Sequence, residues 1–206
     1  MKVAIINFNS GNLYSIKKSI TDLRHEAFIC NDSGDLKNCD KIILPGVGSF
    51  HQAINYLSKF GFVDSLNELI LKKGVPILGI CLGMQLFCKS SSEQKFTKGL
   101  SYIDAEVLDF KDMGCKLKLP HIGWNNIQIV KKDNLLNNIP NNSDFYFVHN
   151  FAIKCEKPQY VLSTTNYNVD FVSIFKKNNI YGVQFHPEKS SNSGSNLIKN
   201  FLEIDA

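Results

Sequence analysis

The first pattern in this chain that could do chemistry is a cysteine between two glycines, where a buried apolar run gives way to a helical one. The segment reads Gly79-Ile80-Cys81-Leu82-Gly83, a nucleophile elbow with cysteine in place of serine. Such a turn strains the backbone of the nucleophile and projects its side chain above the carboxyl edge of the sheet. The start of the following helix would favour a thiolate. The pattern predicts that Cys81 is a nucleophile.

A thiolate nucleophile needs a general base, and His186 is the candidate. It ends the strand-like run Ile180–Phe185, and Pro187 after it favours an extended backbone. Residues two apart in an extended chain face the same side, so Glu188 can reach the imidazole and fix its tautomer. The other histidines, at positions 25, 51, 121 and 149, have no carboxylate at that spacing. The predicted triad is Cys81, His186 and Glu188.

A third segment, Pro45-Gly46-Val47-Gly48-Ser49-Phe50, follows the strand-like run Lys41–Leu44. Its glycines allow backbone N–H groups to turn outward. The N–H groups of Val47 and Leu82 could therefore form an oxyanion hole, which stabilises the negative oxygen of a tetrahedral intermediate. A plain tight turn is the alternative. A phosphate cradle is disfavoured, because neither G-x-G-x-x-G nor a Gly-Lys-Ser/Thr motif is present.

The elements that must position these segments alternate between strand and helix in the first half of the chain. Strands are predicted at Val3–Ile6, Ala27–Cys30, Lys41–Leu44 and Val75–Ile80, and helical periods include Leu13 to Leu23, Val63 to Ile70 and Leu82 to Cys88. This alternation is typical of an α/β protein with a parallel sheet and helices on both faces.

The second half of the chain predicts strands with little helix between them. They are Asn126–Val130, Asp144–His149, Val169–Phe175 and Ile180–Phe185, and a last helix covers Asn196–Glu203. This spacing indicates antiparallel strands added to an open, mainly parallel mixed sheet. The two clear loops, Ser90–Lys98 and Lys131–Asp144, are too short to link independent domains. We therefore expect one domain over residues 1–206.

Composition excludes several classes of protein. The chain has 206 residues, of which 44% are hydrophobic and 20% charged, as in soluble globular proteins. All but one of the 23 basic residues are scattered lysines, the exception being Arg24, so no nucleic-acid partner is expected. The six cysteines and five histidines lack metal-site spacing, so no metal is expected. No apolar run approaches the roughly 20 residues needed to span a bilayer, and no export signal is evident, which predicts a cytoplasmic protein with reduced thiols.

Together, these segments resemble the triad, or class I, glutamine amidotransferases. The similarity extends over most of the chain and is carried by Gly11-Asn12-Leu13, Leu44–Phe50, Leu78–Phe87, Leu119–Asn125, Phe145–Phe151 and Gly182–Lys189. The Pro-Gly-Val-Gly and Pro-His-Ile-Gly-Trp-Asn segments are similar to those of the glutaminase subunits of imidazole glycerol phosphate synthase. The resemblance implies a class I glutamine amidotransferase-like, flavodoxin-like fold.

The resemblance also implies an activity and a partner. Cys81 would attack the side-chain amide of L-glutamine, releasing glutamate and ammonia without a cofactor. The ammonia would pass to a (β/α)8-barrel cyclase subunit in a heterodimer, which forms imidazole glycerol phosphate and AICAR from PRFAR in histidine biosynthesis. The residues implied to hold glutamine are Gly46, Gly48, Gln85, Glu93, His149, Asn150 and Phe151, and those implied to face the partner are Asn12 and Trp124.

Two segments depart from the pattern of that family. The chain has Asn7-Phe8-Asn9-Ser10 where Asp-Tyr-Gly is more frequent, and Asn150-Phe151 where a small hydroxyl residue and Tyr are usual. Three alternatives therefore stay open. The same glutaminase could serve another synthase, such as one that aminates sugars for surface polysaccharide. A cysteine peptidase or chaperone with the same elbow would place His, not Leu82, after the nucleophile. The third alternative is a non-catalytic scaffold, against which the complete triad argues.

Overall fold

The computed structural model describes residues 1–8 and 11–204, and it contains an α/β fold built on one large sheet. The strands, in chain order, are β1 (Lys2–Ile6), β2 (Glu26–Cys30), β3 (Lys41–Leu44), β4 (Ile77–Ile80), β5 (Ser90–Ser91), β6 (Thr97–Lys98), β7 (Ala105–Asp109), β8 (His121–Asn126), β9 (Gln128–Ile129), β10 (Asp144–His149), β11 (Phe151–Cys155), β12 (Val161–Tyr167), β13 (Val169–Lys177) and β14 (Ile180–Val183). The helices are α1 (Leu13–Asp22), α2 (Phe50–Lys59), α3 (Phe62–Leu66), α4 (Leu82–Leu86) and α5 (Ser191–Glu203).

The large sheet has eight strands in the order β2-β1-β3-β4-β14-β13-β12-β9. The first five are parallel to one another, and the last three join by antiparallel pairing. An open mixed sheet that is mainly parallel, with antiparallel strands from the second half of the chain, is therefore confirmed. The remaining strands, which include the short β5 and β6, form two smaller sheets instead, β10-β8 and β11-β7-β5-β6.

Helices cover both faces of the large sheet, because side chains alternate along each strand. Val3 and Ile5 of β1 face one core, which contains the apolar sides of α1 and α5. Ala4 and Ile6 face the opposite core, which contains those of α2, α3 and α4. The parallel strands are apolar on both faces for this reason. The predicted placement of helices on both faces is thereby confirmed.

Several predicted boundaries were wrong. The predicted strand 126–130 is interrupted between β8 and β9, the strand predicted from Val75 begins at Ile77, and the last helix begins at Ser191 instead of Asn196. The predicted loop 90–98 contains the short strands β5 and β6, and the loop 131–144 contains a 3-10 turn at Asn134–Leu136. The missed elements include α2, β7, β11, β12 and all of β8 except Asn126, and the helix predicted from Val63 to Ile70 is α3 followed by a π-helical segment, Asn67–Lys72. Residues 9 and 10 of the unusual N-terminal segment lie outside the described residues.

The topology brings three chain segments to one place. β3, β4 and β14 are neighbours in the parallel part of the sheet, so their carboxyl ends meet at one edge. Pro45 follows β3, Cys81 follows β4, and Gln184 follows β14. Open α/β sheets bind ligands beyond the carboxyl ends of their strands, and this edge therefore contains the candidate site. Within residues 1–8 and 11–204, no helix is both long and apolar enough to cross a membrane.

Candidate active site

Cys81 lies alone between the end of β4 and the start of α4, with φ +54° and ψ −109°. A side-chain-bearing residue rarely adopts this conformation, and its strain is typical of a functional site. The N–H of Cys81 donates to the carbonyl of Val183 in β14 (2.8 Å). At Gly83, a Cβ atom would lie 1.7 Å from the carbonyl oxygen of Leu44. The turn therefore requires glycine there, and the predicted elbow geometry is present.

His186 and Glu188 form a buried pair beside the nucleophile. The Nδ1 atom of His186 lies 3.0 Å from Oε1 of Glu188, and the two side chains are only 3% and 1% exposed. The backbone N–H of His186 donates to the carbonyl of Tyr146 (2.9 Å), which anchors this segment to β10. The Nε2 atom is buried and has no hydrogen-bond partner among the described residues. It is thus free to exchange a proton with a reacting group.

The surroundings of His186 favour its protonated form. Burial of the ring opposes protonation, but the adjacent Cys81 and Glu188 outweigh burial and raise the pKa of His186 to about 10. A neutral imidazole has an ordinary pKa of about 6.5. At neutral pH the geometry therefore favours an imidazolium between Cys81 and Glu188, which is the form that can protonate a leaving group.

Cys81 opens into a cleft of about 470 Å³. Of the residues expected to hold glutamine, Gly48, Gln85, Glu93, His149, Asn150 and Phe151 line this cleft. Gly46 does not line it, because this glycine is packed behind Phe8 and Leu82, where an added Cβ would lie 2.5 Å and 3.2 Å from their atoms. A larger depression of about 730 Å³ runs along residues 129–141, but that stretch contains no cysteine or histidine. The cleft at Cys81 is therefore the candidate active site.

Two polar side chains of the cleft are held by neighbouring groups. The Nε2 of Gln85 donates to the Phe151 carbonyl and to Oε1 of Gln184, both at 3.0 Å, so both of its N–H bonds are engaged. Oε2 of Glu93 accepts the N–H of Phe50 (2.8 Å) at the start of α2. Carboxylates are stabilised at a helix N-terminus. A fixed carboxylate and a fixed amide oxygen in one cleft can receive an ammonium group.

The two donors of the predicted oxyanion hole do not converge in this structure. The N–H of Leu82 donates to the carbonyl of Gly46 (3.3 Å). The carbonyl and N–H of a trans peptide point in opposite directions, so the N–H of Val47, in the same peptide unit, points away from Leu82. Gly48 has φ +109°, a conformation open to glycine. A rotation of the Gly46–Val47 peptide would free the N–H of Leu82 from the Gly46 carbonyl and would turn the N–H of Val47 toward Leu82.

A second buried histidine pair supports the wall of the cleft. His149 donates its Nδ1–H to the Phe151 carbonyl (2.8 Å), so its Nε2 accepts the Nδ1–H of His121 (3.1 Å). Nε2 of His121 in turn lies 3.3 Å from the side-chain amide nitrogen of Asn125. Burial lowers the pKa of His121 to about 4 and that of His149 to about 3. Both rings are neutral at pH 7, and only one tautomer of each ring allows this series of hydrogen bonds.

The residues expected to face a partner lie next to the catalytic elements. Asn12 precedes α1, and its side chain accepts a hydrogen bond from Ser15 (2.8 Å). Trp124 of β8 is 54% exposed, and its ring centroid lies 6.2 Å from that of Tyr146 on β10. Since the carbonyl of Tyr146 accepts the N–H of His186, the two-stranded sheet β10-β8, which carries Trp124, is connected to the predicted triad. The assignment of these residues to an interface stays a prediction.

Sequence reasoning missed Gln184 and Val148. The Nε2 of Gln184 lies 3.7 Å from the Cys81 sulfur, and the Cys81 thiol can donate to the Val148 carbonyl at 3.8 Å. One signal could have found Gln184, because it precedes His186 by two residues in an extended segment and so shares its face. No local pattern marks Val148, whose main-chain carbonyl is placed by the pairing of β10 with β8.

Comparisons with known proteins agree with this geometry. The sequence matches the family "Glutamine amidotransferase class-I" over residues 4–204. Similar solved structures include PurLQS from Thermotoga maritima (TM-score 0.75, 13% identity, covering 98% of this chain and 97% of that one) and a glutamine amidotransferase from the same organism (TM-score 0.66, 18% identity, 98% and 83%). At these identities they support the fold alone.

Curated relatives are similar over nearly their whole length. "Imidazole glycerol phosphate synthase subunit HisH 1" of Campylobacter jejuni is 44% identical over 202 residues, which cover 98% of this chain and 100% of that protein. The HisH subunit of Buchnera aphidicola is 47% identical over 204 residues (99% and 100%), and that of Methanocaldococcus jannaschii is 43% identical over 205 residues (98% and 99%). The resemblance inferred from the sequence is confirmed. The chain belongs to the class-I glutamine amidotransferase family, in the group of imidazole glycerol phosphate synthase HisH subunits.

Proposed function

We propose that this protein hydrolyses the side-chain amide of L-glutamine and supplies the ammonia to a cyclase subunit. One observation carries the proposal: Cys81, at a strained elbow, opens into a cleft beside a buried His186 that is paired with Glu188. The nucleophile, the proton donor and the group that orients it are the three parts of a cysteine-based acyl-transfer site.

The reaction follows from the protonation of the triad. The Cys81 thiolate attacks the amide carbon, and the carbonyl oxygen becomes an oxyanion. His186, protonated at neutral pH, gives its Nε2 proton to the departing nitrogen, and ammonia leaves as the thioester forms. The neutral imidazole then takes a proton from water, which attacks the thioester and releases glutamate. Glu188 keeps the ring oriented through Nδ1 and stabilises its charge in both steps.

The walls of the cleft suit the α-amino acid end of glutamine. The Glu93 carboxylate and the Gln85 amide oxygen would receive its ammonium group. The main chain at Gly48, Asn150 and Phe151 would hold its carboxylate. Glutamine would then lie with its side-chain amide toward Cys81, and the side chain of His149 would act only by supporting Phe151.

We infer that the isolated protein is a poor glutaminase, because its oxyanion hole is not assembled. Removing one such donor costs about 10²–10³ in rate in other enzymes. A partner that favours rotation of the Gly46–Val47 peptide would supply this factor by binding the active conformation more tightly. The flexible glycine at position 48 makes that rotation inexpensive, and the triad need not change.

The partner that fits best is the (β/α)8-barrel cyclase of imidazole glycerol phosphate synthase, as a heterodimer in histidine biosynthesis. This proposal rests on the names of relatives that are 43–47% identical over nearly their full length. It is also supported by Ile122 and Trp124, two apolar side chains of β8 that are 58% and 54% exposed. Aromatic residues of this kind often anchor protein interfaces.

Steady-state glutaminase assays test the proposal. The purified protein is assayed alone, with the cyclase subunit, and with the cyclase plus its nucleotide-like ligand. Glutamate release should rise by about 10²–10³ in the liganded complex, the factor expected for a restored donor, and Cys81→Ala should abolish it in every mixture. Full activity of the protein without its partner would mean that the hole is preformed in solution. Activation only by a sugar-aminating synthase would reassign the partner.

A further inference from the structure

We propose that Gln184 is a further residue of the glutaminase site: its side-chain amide donates a hydrogen bond to the sulfur of Cys81 and is held in that orientation by Gln85. This inference rests on the proposed function, since it concerns how the nucleophile is prepared for attack on glutamine. The Nε2 of Gln184 lies 3.7 Å from the Cys81 sulfur. Gln184 is completely buried, so its amide interacts with protein groups and not with bulk solvent.

The orientation of the Gln184 amide follows from a main-chain carbonyl. The carbonyl of Phe151 can only accept hydrogen bonds, so the atom of Gln85 that lies 3.0 Å from it must be the nitrogen. That nitrogen has a second hydrogen, which points to Gln184 at 3.0 Å. The atom of Gln184 facing Gln85 must therefore be its oxygen, and its nitrogen is left to face the sulfur.

This orientation matters because the two ends of an amide have opposite effects on a thiolate. An N–H group beside the sulfur stabilises negative charge, whereas an amide oxygen in the same place would repel it. The second neighbour of the sulfur is the main-chain carbonyl of Val148 at 3.8 Å, which accepts from the neutral thiol and offers nothing to a thiolate. Once the proton has moved to His186, the donors beside the sulfur within the described chain are the Gln184 amide and the His186 ring.

The arrangement also fixes the direction in which the sulfur points. Cys81 has one rotatable side-chain bond, and its sulfur is in contact with both the Gln184 amide nitrogen (3.7 Å) and the Val148 carbonyl oxygen (3.8 Å). The Phe151 carbonyl that orients Gln85 also accepts from His149 (2.8 Å). The same wall of the cleft therefore positions both the substrate-binding edge and the nucleophile.

Alkylation of Cys81 by iodoacetamide isolates this effect from glutamine binding. The rate of modification is measured from pH 5 to 9 by mass spectrometry of the Cys81 peptide, and kcat and KM for glutamine are measured on the same preparations. Three variants are compared with wild type. Gln184→Met removes the amide, Gln184→Asn withdraws it by one methylene, and Gln128→Met is a control that removes an exposed amide of β9.

A hydrogen bond to a charged group is worth roughly tenfold in an equilibrium constant. We therefore expect about tenfold slower alkylation at pH 7 in Gln184→Met, with the pH profile displaced to higher pH. The kcat value should fall by a similar factor, and KM should change less than kcat, because the Phe151 carbonyl still holds the Gln85 side chain. A merely structural defect would change KM and thermal stability without displacing the pH profile. Gln184→Asn should give a smaller change in the same direction, and Gln128→Met none.

Wild-type alkylation rates and an unshifted pH profile in folded Gln184→Met would overturn the inference. If Gln184→Met does not fold, an unchanged alkylation rate and pH profile in Gln184→Asn would overturn the inference. Gln85→Leu, which frees the Gln184 amide to turn, should also slow alkylation, and an unchanged rate would remove Gln85 from the arrangement. Failure of the wild-type protein to hydrolyse glutamine with any synthase would reject the proposed function instead, since the alkylation experiment requires no glutamine.

Discussion

Acid should destabilise this protein through the two histidines that support the wall of the cleft. His121 and His149 are 3% and 6% exposed and hydrogen-bond to each other as neutral rings. Protonating either ring would place a positive charge in a buried, largely aromatic setting. It would also remove the ring nitrogen that accepts the next hydrogen bond of the series. We therefore consider the change in the free energy of unfolding when the pH is lowered from 7 to 5.

The size of the effect follows from the depressed pKa values. Histidine in an unfolded chain has a pKa of about 6.5, whereas in the folded protein burial lowers the pKa of His121 to about 4 and that of His149 to about 3. A lowered pKa contributes stability that is complete above pH 6.5 and is lost as the pH falls toward 4 and 3. Between pH 7 and 5, only the unfolded chain takes up these protons. The loss is about 2 kcal/mol for each ring, or about 4 kcal/mol for both.

His186 does not obscure this window. Its pKa is raised to about 10, so its contribution to stability is complete below pH 6.5 and is lost only as the pH rises toward 10. Between pH 7 and 5 the folded chain already holds this proton while the unfolded chain gains it, so His186 adds about 1 kcal/mol of stability on acidification. Because this contribution is the same in any variant that keeps His186, the difference between wild type and a variant without the buried pair reports on His121 and His149.

Urea unfolding at pH 7 and pH 5 measures the effect. Wild type is compared with the double variant His121→Asn/His149→Asn, in which amide nitrogens stand near the former Nδ1 atoms, and with His25→Asn, which removes a histidine outside the pair. The double variant should be less stable at pH 7, but its loss of stability on acidification should be smaller than that of wild type by about 4 kcal/mol. The His25 variant should behave as wild type does. An equal loss in wild type and the double variant would refute the reasoning.

Three further predictions concern the proposed catalytic residues and the proposed partner surface. A chloroketone or diazo analogue of glutamine should label Cys81 and none of the other five cysteines, as peptide mapping would reveal, and Cys81→Ser should retain its fold and partner binding without hydrolysing glutamine. His186→Ala should lower kcat by about 10²–10⁴, whereas Glu188→Gln should cost less, since an amide still positions the ring; equal losses would give Glu188 another role. Trp124→Ala should weaken cyclase binding about tenfold or more, as expected for an aromatic anchor, and an unchanged Kd in titration calorimetry would place the interface elsewhere.

The proposed triad could be picked out from the sequence because each of its parts is a local pattern. The elbow is five consecutive residues, and Gly83 is required by contacts within a single strand–turn–helix unit and its neighbouring strand. The pair His186 and Glu188 is two residues apart, and Pro187 between them restricts the backbone. Local spacing along the chain therefore determines the geometry of the elbow and of the His186–Glu188 pair once the fold has formed.

The hydrogen bonds that hold the residues of the cleft in place could not be predicted in this way, because they join groups that are distant in sequence. The hydrogen bond from Gln184 to Cys81 joins positions 103 residues apart, and that between His121 and His149 joins positions 28 apart. Each requires a particular strand pairing, β14 with β4 in one case and β10 with β8 in the other. The strands β11 and β12 and the two small sheets were missed for the same reason.

The sequence by itself was enough to predict a nucleophile, a base and an orienting carboxylate, and to predict the alternation of strands and helices that makes a parallel sheet, since all of these depend on short-range spacing and side-chain periodicity. Only the tertiary structure decided whether the two N–H groups of the predicted oxyanion hole point to the same place. The sequence predicted that the N–H groups of Val47 and Leu82 form an oxyanion hole, but the direction of one peptide bond, in which the Gly46 carbonyl accepts the N–H of Leu82, decides whether these groups converge. The physical reason is that hydrogen-bond direction depends on packing between β3, β4 and α4, which no local pattern encodes.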